Sequence, residues 1–121
     1  MSHPVVWFEV LGKDGGKLQA FYRDLFGWKV TIDNPMGYGM VETGAKKGIP
    51  GGIGARYQEM GPWVTFYVES PDLERSLADV EKGGGKVVAP PKTLPGGPTL
   101  AFFQDPEGHV VGLIKSEPGE A

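Results

Sequence analysis

The feature that most constrains this 121-residue chain is an internal repeat of about half its length. Residues of the same type and local context recur 56 to 60 positions apart, namely Trp7 and Trp63, Gly27 and Gly84, and Gly52 and Gly112. Because one half alone would bury too little apolar surface, the two halves are expected to share one core. The prediction is a single domain over residues 1–121, with module 1 at about 4–58 and module 2 at about 62–116.

The first half has the pattern of a strand, a helix and three further strands. Residues 5–10 alternate as a strand does, which places Trp7 and Glu9 on one face. A helix follows, with Asp14 as its N-cap and Gly27 as its C-terminal stop. Three strands are then predicted at residues 28–33, 38–43 and 50–57.

The second half repeats that order. A strand at residues 63–69 places Thr65 and Tyr67 on the same face as Trp63. Ser70 is a suitable N-cap for a short helix with Pro71 in its first turn. Strands are predicted at residues 86–89, 99–104 and 109–115, the last two joined by a turn at 105–108.

Composition excludes several classes of function. The net charge is −3 with no basic run, which argues against a nucleic acid or an anionic membrane as partner. The chain has no cysteine, so a disulfide framework, a thiolate metal site and a cysteine nucleophile are all excluded. It also lacks a long apolar run and a recognisable signal peptide, and the expected location is the cytoplasm.

Several motifs resemble those of the vicinal oxygen chelate superfamily, the group of glyoxalases, bleomycin-resistance proteins and extradiol dioxygenases. They are the first strand at 5–10, the Phe21-Tyr22 pair, the helix end at 25–28, Gly51-Gly52-Ile53, the run 64–68 and the turn at 105–108. The resemblance covers roughly residues 5–115 and is strongest to small glyoxalase-like bacterial proteins. It implies an α+β fold of two tandem βαβββ modules, whose curled mixed sheets surround a concave pocket. Relatives often form homodimers, which makes a homodimer one expectation; since both modules are present in one chain, a monomer that closes one cavity is the alternative.

The resemblance also implies where a metal would be held. Metal-using relatives bind a divalent ion through His and Glu side chains on the first and last strand of each module. The matching positions in this chain are Trp7, Gly52, Trp63 and Gly112. None of these four has a lone pair suited to a divalent cation. The expectation is therefore that the chain uses neither a metal nor another cofactor.

Two interpretations of the Trp and Gly positions stay open. The first strand is expected beside the fourth, so each indole would lie across the glycine of its neighbouring strand. The two indoles would then either fill the former metal cavity as core or form the walls of a slot for a flat organic ligand.

Polar and aromatic neighbours complete the predicted ligand-binding set. Glu9, Thr65 and Tyr67 share the predicted strand faces of the two indoles, and Phe102 or Phe103 is expected in the wall. Glu9 and Tyr67 are also the candidate catalytic residues, because either could handle a proton. The alternative for Glu9 is a solvated position at the rim. His109 is interpreted as a solvated turn residue and His3 as part of a frayed terminus, so no two-histidine metal pattern arises.

Four functions are compatible with this pattern. The favoured one is a metal-independent protein that binds a hydrophobic or aromatic small molecule. The alternatives are an enzyme that uses side chains alone, a metal-dependent glyoxalase-type lyase or dioxygenase, and a structural or regulatory module with a collapsed cavity.

Overall fold

The computed structural model describes residues 2–56 and 61–116 and confirms the α+β class. The order of elements is strand, helix and three strands, followed by the same order again. The elements are β1 (Val5–Gly12), α1 (Gly15–Phe26), β2 (Lys29–Ile32), β3 (Gly39–Glu42), β4 (Gly51–Ala55), β5 (Trp63–Ser70), α2 (Leu73–Lys82), β6 (Lys86–Thr93), β7 (Thr99–Gln104) and β8 (Val110–Lys115). Within the described residues, no helix combines the length and apolarity needed to cross a membrane.

The chain divides into two compact units. One is Val6–Thr65, and the other is Met1–Val5 together with Phe66–Ala121. The division falls inside β5, a few residues after the predicted boundary between the modules. The single shared domain over residues 1–121 stays a prediction.

In the unit Val6–Thr65 the strand order is β2-β3-β4-β1. Strand β3 is antiparallel to both β2 and β4, whereas β1 is parallel to β4. The first strand therefore lies beside the fourth, as the resemblance implied. The register places Glu9 opposite Gly52 and Gly52 opposite Met40, so these three residues form one row across the sheet.

Helix α1 begins and ends as the sequence predicts. The Asp14 side chain accepts a hydrogen bond from the Lys17 backbone N–H at 3.0 Å, which satisfies one unpaired donor of the first turn. Gly27 follows the last turn with φ of 72°, a left-handed conformation that favours glycine. Gln19 is buried, and its Nε2 donates to the Ile53 carbonyl on β4 at 2.6 Å. That bond ties the helix to the strand carrying Gly52.

In the second unit the strand order is β5-β8-β7-β6, with β5 parallel to β8. Tyr67 lies opposite Gly112, and Gly112 lies opposite Phe102. The core of this unit consists of Leu73, Leu77, Ala101 and Leu113.

The start of helix α2 differs from the prediction. The N-cap is Asp72, whose side chain accepts from the Arg75 backbone N–H at 3.1 Å. Ser70 instead accepts from the Asp72 backbone N–H at 3.2 Å, and Pro71 precedes the helix. Serine and aspartate are both good N-caps, so composition alone did not decide between them.

Two strand boundaries in the second unit also differ. Strand β6 continues to Thr93 through Pro90 and Pro91, where register shifts against β7 accommodate residues that lack a backbone donor. Strand β8 begins at Val110 rather than His109, because His109 closes the preceding turn. In the first unit β4 ends at Ala55. The predicted end of that strand at Tyr57, like residues 57–58 of module 1, lies outside the described residues.

Candidate functional site

The centre of the candidate site is the carboxylate of Glu9 on β1. Glu9 is only 7% exposed. The Trp63 indole N–H donates to its Oε1 at 2.9 Å, and the Tyr38 hydroxyl donates to its Oε2 at 2.8 Å. Burying a carboxylate costs free energy unless it is hydrogen-bonded, and here both oxygens accept a bond. Glu9 is therefore a buried and oriented group, and the alternative that its carboxylate is solvated is wrong.

Tyr38 joins the remaining indole to this carboxylate. The Trp7 indole N–H donates to the Tyr38 hydroxyl oxygen at 3.0 Å. That hydroxyl thus accepts from Trp7 while it donates to Glu9. The four side chains Trp7, Glu9, Tyr38 and Trp63 form one hydrogen-bonded cluster, and we refer to them as the Glu9 cluster.

Sequence reasoning did not find Tyr38. It placed this residue at the start of the third strand and gave it no role. The detectable signal was the turn at Asn34-Pro35, because asparagine often binds the backbone a few residues onward. Asn34 does so here: its Nδ2 donates to the Tyr38 carbonyl at 2.7 Å, and its Oδ1 accepts from the Tyr38 N–H at 2.9 Å.

One further hydrogen bond and the conformation of Gly37 fix the turn that carries Tyr38. Gln19 Nε2 donates to the Gly37 carbonyl at 2.9 Å, so the buried Gln19 amide binds both this turn and β4. Gly37 has φ of 73°, which a residue with a side chain adopts only at a cost. The Tyr38 backbone is consequently held by Asn34 directly and by Gln19 through the preceding residue, Gly37.

The Tyr38 side chain occupies the space that a side chain at position 52 would need. A Cβ built on Gly52 would overlap the hydroxyl and ring of Tyr38. The prediction that the Trp7 indole lies across this glycine is wrong. The ring that covers Gly52 is Tyr38, and the Trp7 indole bonds to the Tyr38 hydroxyl. The physical reason is the register, since Glu9 and not Trp7 is opposite Gly52.

The same correction applies to Gly112 in the second unit. A Cβ on Gly112 would overlap the ring of Tyr67, which is opposite it in the register. The predicted partner, Trp63, precedes Tyr67 by four residues, which corresponds to about 13 Å along a strand.

Tyr67 is buried at 4% exposure and meets Phe102 edge to face, with ring centroids 5.7 Å apart. Phe103 packs instead against the leucine core, so Phe102 is the residue of the two that accompanies Tyr67. Thr65 is buried as well. The unit Val6–Thr65 thus brings together Trp7, Glu9, Gly52 and Trp63, while Tyr67, Phe102 and Gly112 form a row in the other unit.

The two histidines lie apart from the Glu9 cluster in their contacts. The His109 side chain is 75% exposed, and its Nδ1 lies 2.9 Å from Asp105 Oδ2. The His109 backbone N–H donates to Asp105 Oδ1, and this bond is the main reason that the pKa of Asp105 is lowered. His3 Nδ1 lies 3.2 Å from the Glu69 carbonyl oxygen.

The residues of the site do not fit a divalent metal ion. Among residues 2–56 and 61–116, no three His, Cys, Asp or Glu side chains are grouped as metal ligands would be. Glu9 supplies a single carboxylate, and the matched positions Trp7, Gly52 and Trp63 add no side-chain lone pair suited to a divalent ion. The space that a ligating side chain at position 52 would need is filled by Tyr38.

Comparison with known proteins places this geometry in a family. The model for the N-terminal part of bleomycin-resistance-like proteins matches residues 5–44. A Mycobacterium bovis protein named "Putative glyoxylase CFP32" is 30% identical over 115 residues, which covers 88% of this chain and 43% of that protein. The anthracycline biosynthesis protein DnrV of Streptomyces peucetius is 29% identical over 118 residues, covering 84% of this chain and 43% of that protein.

A solved structure extends the match to the whole fold. It belongs to a Vibrio splendidus member of the glyoxalase/bleomycin resistance protein/dioxygenase superfamily. The TM-score is 0.66 at 18% identity, over 95% of this chain and 100% of that one. These matches support an assignment of the chain to the vicinal oxygen chelate superfamily, and the structural likeness shows its fold.

The fold of the vicinal oxygen chelate superfamily accounts for the repeated order of elements and for β1 beside β4. It does not fix the reaction, because one fold supports many functions. The chain also spans less than half, 43%, of the length of the curated relatives it matches. The chemistry has to be argued from the Glu9 cluster itself.

Proposed function

We propose that this protein binds a small organic ligand, without a metal, against the aromatic side chains of the Glu9 cluster. The observation that carries the proposal is the buried Glu9 carboxylate with an indole and a phenol bonded to its two oxygens. Two of its members, Trp7 and Trp63, stand at positions that the resemblance matches to metal ligands. It offers an oriented acid group among rings in place of a metal coordination sphere.

The exposure of the rings supports binding rather than simple filling of a core. Trp7, Tyr38 and Trp63 are each partly exposed, whereas Ile53 and Val41 in the same unit are fully buried. Sites for small molecules are mostly apolar with a few well-placed polar groups, and aromatic rings contribute large contact areas. A flat or aromatic ligand fits this composition, and the relative named for anthracycline biosynthesis points to the same class of compound.

Fluorescence provides the first test, because two of the three tryptophans belong to the cluster. A panel of aromatic compounds is titrated into the protein in the presence of a chelator. We expect saturable quenching by at least one compound, with a smaller change in the Trp7→Phe and Trp63→Phe variants. The Trp28→Phe variant is the matched control, since Trp28 packs against Phe8, Tyr22 and Phe26. Quenching that disappears only in this control would contradict the proposal.

A second candidate function is catalysis by side chains alone. The Tyr38 hydroxyl donates to Glu9, so it can take a proton from a substrate while it passes its own proton to the carboxylate. Tyr67 stays a weaker candidate, because it is almost fully buried. If a substrate is found, Glu9→Gln should abolish turnover while substrate binding remains measurable. Full turnover in that variant would remove Glu9 from the chemistry.

Three broader expectations belong to the same proposal. We place the protein in the cytoplasm, as a homodimer, with a small molecule rather than nucleic acid or membrane as partner. Sedimentation equilibrium tests the second of these, since the chain has a mass of 13.0 kDa. A single species at the mass of one chain at high concentration would contradict the dimer.

A further inference from the structure

The direction of the hydrogen bonds in the Glu9 cluster limits which part of each ring a ligand can meet. The Trp63 N–H and the Tyr38 O–H point to the carboxylate, and the Trp7 N–H points to the Tyr38 oxygen. These are the positive edges of the three rings, and they are engaged within the cluster. What the rings offer to a ligand is their faces, which carry the negative end of the ring quadrupole.

We propose, resting on the function proposed above, that the ligand is an organic cation: an ammonium group on an apolar or aromatic skeleton. The faces of Trp and Tyr attract cations, and attraction is stronger where water is partly excluded. Glu9 adds a formal negative charge at 7% exposure, where the effective dielectric constant is lower than in bulk water. A neutral ligand gains only apolar contact from this arrangement, and an anion is repelled by it.

The neighbouring residue Met40 offers an apolar contact beside the cluster. Met40 is 44% exposed and shares the row of Glu9 and Gly52 across the sheet. A flexible, polarizable methionine side chain adapts to apolar skeletons of different shape. The net charge of −3 gives a long-range attraction for cations in addition. Charge and shape therefore favour the same class of ligand.

A pair of isosteric probes tests this inference on the unaltered site. Phenyltrimethylammonium and tert-butylbenzene have nearly the same shape, and only the first is charged. Both are titrated into the Trp28→Phe variant, so that tryptophan emission comes from Trp7 and Trp63 alone. We expect the ammonium compound to bind at least about tenfold more tightly, the ratio typical of a partly desolvated cation–ring contact.

The carboxylate contribution is tested with a matched pair of variants. Glu9→Gln should lower the affinity for phenyltrimethylammonium by about tenfold or more and leave tert-butylbenzene unchanged. Glu81→Gln removes the same charge from an exposed position on α2 and should change neither affinity. If Glu9→Gln does not fold, the comparison of the two probes on the Trp28→Phe protein still decides the question.

The outcomes separate this inference from the proposed function. Equal affinity for the two probes would overturn the cation inference and leave the binding function standing. No response to either probe, while other aromatic compounds quench the cluster, would also overturn the cation inference alone. No response to the probes or to any compound of the panel would count against both.

Discussion

At the scale of single residues, the site depends on the pair formed by Tyr38 and Gly52. Tyr38 bonds to Glu9 and to Trp7, and its ring lies where a side chain at position 52 would be. The sequence predicted Trp7, Glu9, Gly52 and Trp63 as members of one site, because strand parity and the repeat are visible in the chain. It could not predict Tyr38, because a loop and the register of β3 on β4 determine where that ring lies.

The first prediction concerns Gly52→Ala. The new Cβ would collide with Tyr38, and forcing an extra carbon into a packed site costs about 1–3 kcal/mol of unfolding free energy. Gly61→Ala is the control, since its Cβ would meet open space, and it should change stability by less than about 0.5 kcal/mol. Chemical denaturation measures both. Equal stability of the two variants would show that Tyr38 does not lie over Gly52.

A second prediction concerns Tyr38→Phe, which keeps the ring and removes the hydroxyl. Glu9 Oε2 loses a donor and the Trp7 indole loses an acceptor, so we expect a loss of about 1–3 kcal/mol. Tyr22→Phe is the control, because the ring of Tyr22 makes its stacked contact with Trp28 and that ring is retained. Urea unfolding followed by circular dichroism compares the two. The account fails at this point if Tyr38→Phe is no less stable than Tyr22→Phe.

At the scale of elements, the sequence predicts helix ends best where a capping residue or a glycine marks them. Asp14 and Gly27 bound α1 as expected, because each supplies a partner or a conformation that few other residues supply. The start of α2 was misplaced because Ser70 and Asp72 compete for one role. The end of β6 was misplaced because two prolines argue against a strand unless the register shifts, and such shifts are not visible in sequence.

The turn between β7 and β8 supplies a prediction about pH. The backbone N–H groups of His109 and Glu107 donate to Asp105, and these bonds lower the pKa of Asp105 below 3.8. A carboxyl whose pKa is lower in the folded state stabilises the fold above its unfolded pKa. This contribution is lost as the pH falls through the folded value. The stability advantage over Asp105→Ala should therefore shrink as the pH falls below about 4.

The control for the turn is Asp24→Ala, in which the removed carboxylate is exposed and paired with the adjacent Arg23. Thermal unfolding over a pH series measures the differences. An advantage of the natural protein over Asp105→Ala that grows on acidification would contradict the assigned direction of the pKa.

At the scale of the whole molecule, the superfamily fold was predictable and the use of its site was not. The repeat, the parallel pairing of β1 with β4 and the α+β class follow from patterns that many members share. The side chains of the site are those of this chain. Trp7 and Gly52 occupy positions that the resemblance matches to metal ligands, and the Tyr38 ring fills the space beside Gly52. A fold and a family name therefore leave the metal and the reaction open, and the contacts of Glu9 argue for an organic ligand.

A prediction at this scale is that divalent ions do not stabilise the protein. A ligand that binds only the folded state raises the unfolding temperature, by an amount that grows with the logarithm of its free concentration above the Kd. Because the Glu9 cluster does not fit a metal ion, zinc, nickel, iron(II) or manganese should shift the midpoint by less than about 2 °C relative to a chelator. A rise that saturates at one ion per chain would contradict the assignment.

The most direct measurement of the central claim is the set of indole N–H signals of Trp7, Trp28 and Trp63 in a nitrogen-correlated proton spectrum. These signals are recorded while the aromatic panel is added in the presence of a chelator. The Trp7 and Trp63 indoles donate to Tyr38 and Glu9, so a ligand at the cluster must move both. The account predicts saturable shifts of these two signals with little change at Trp28. Shifts that need an added divalent ion, or signals that no compound moves, would contradict it.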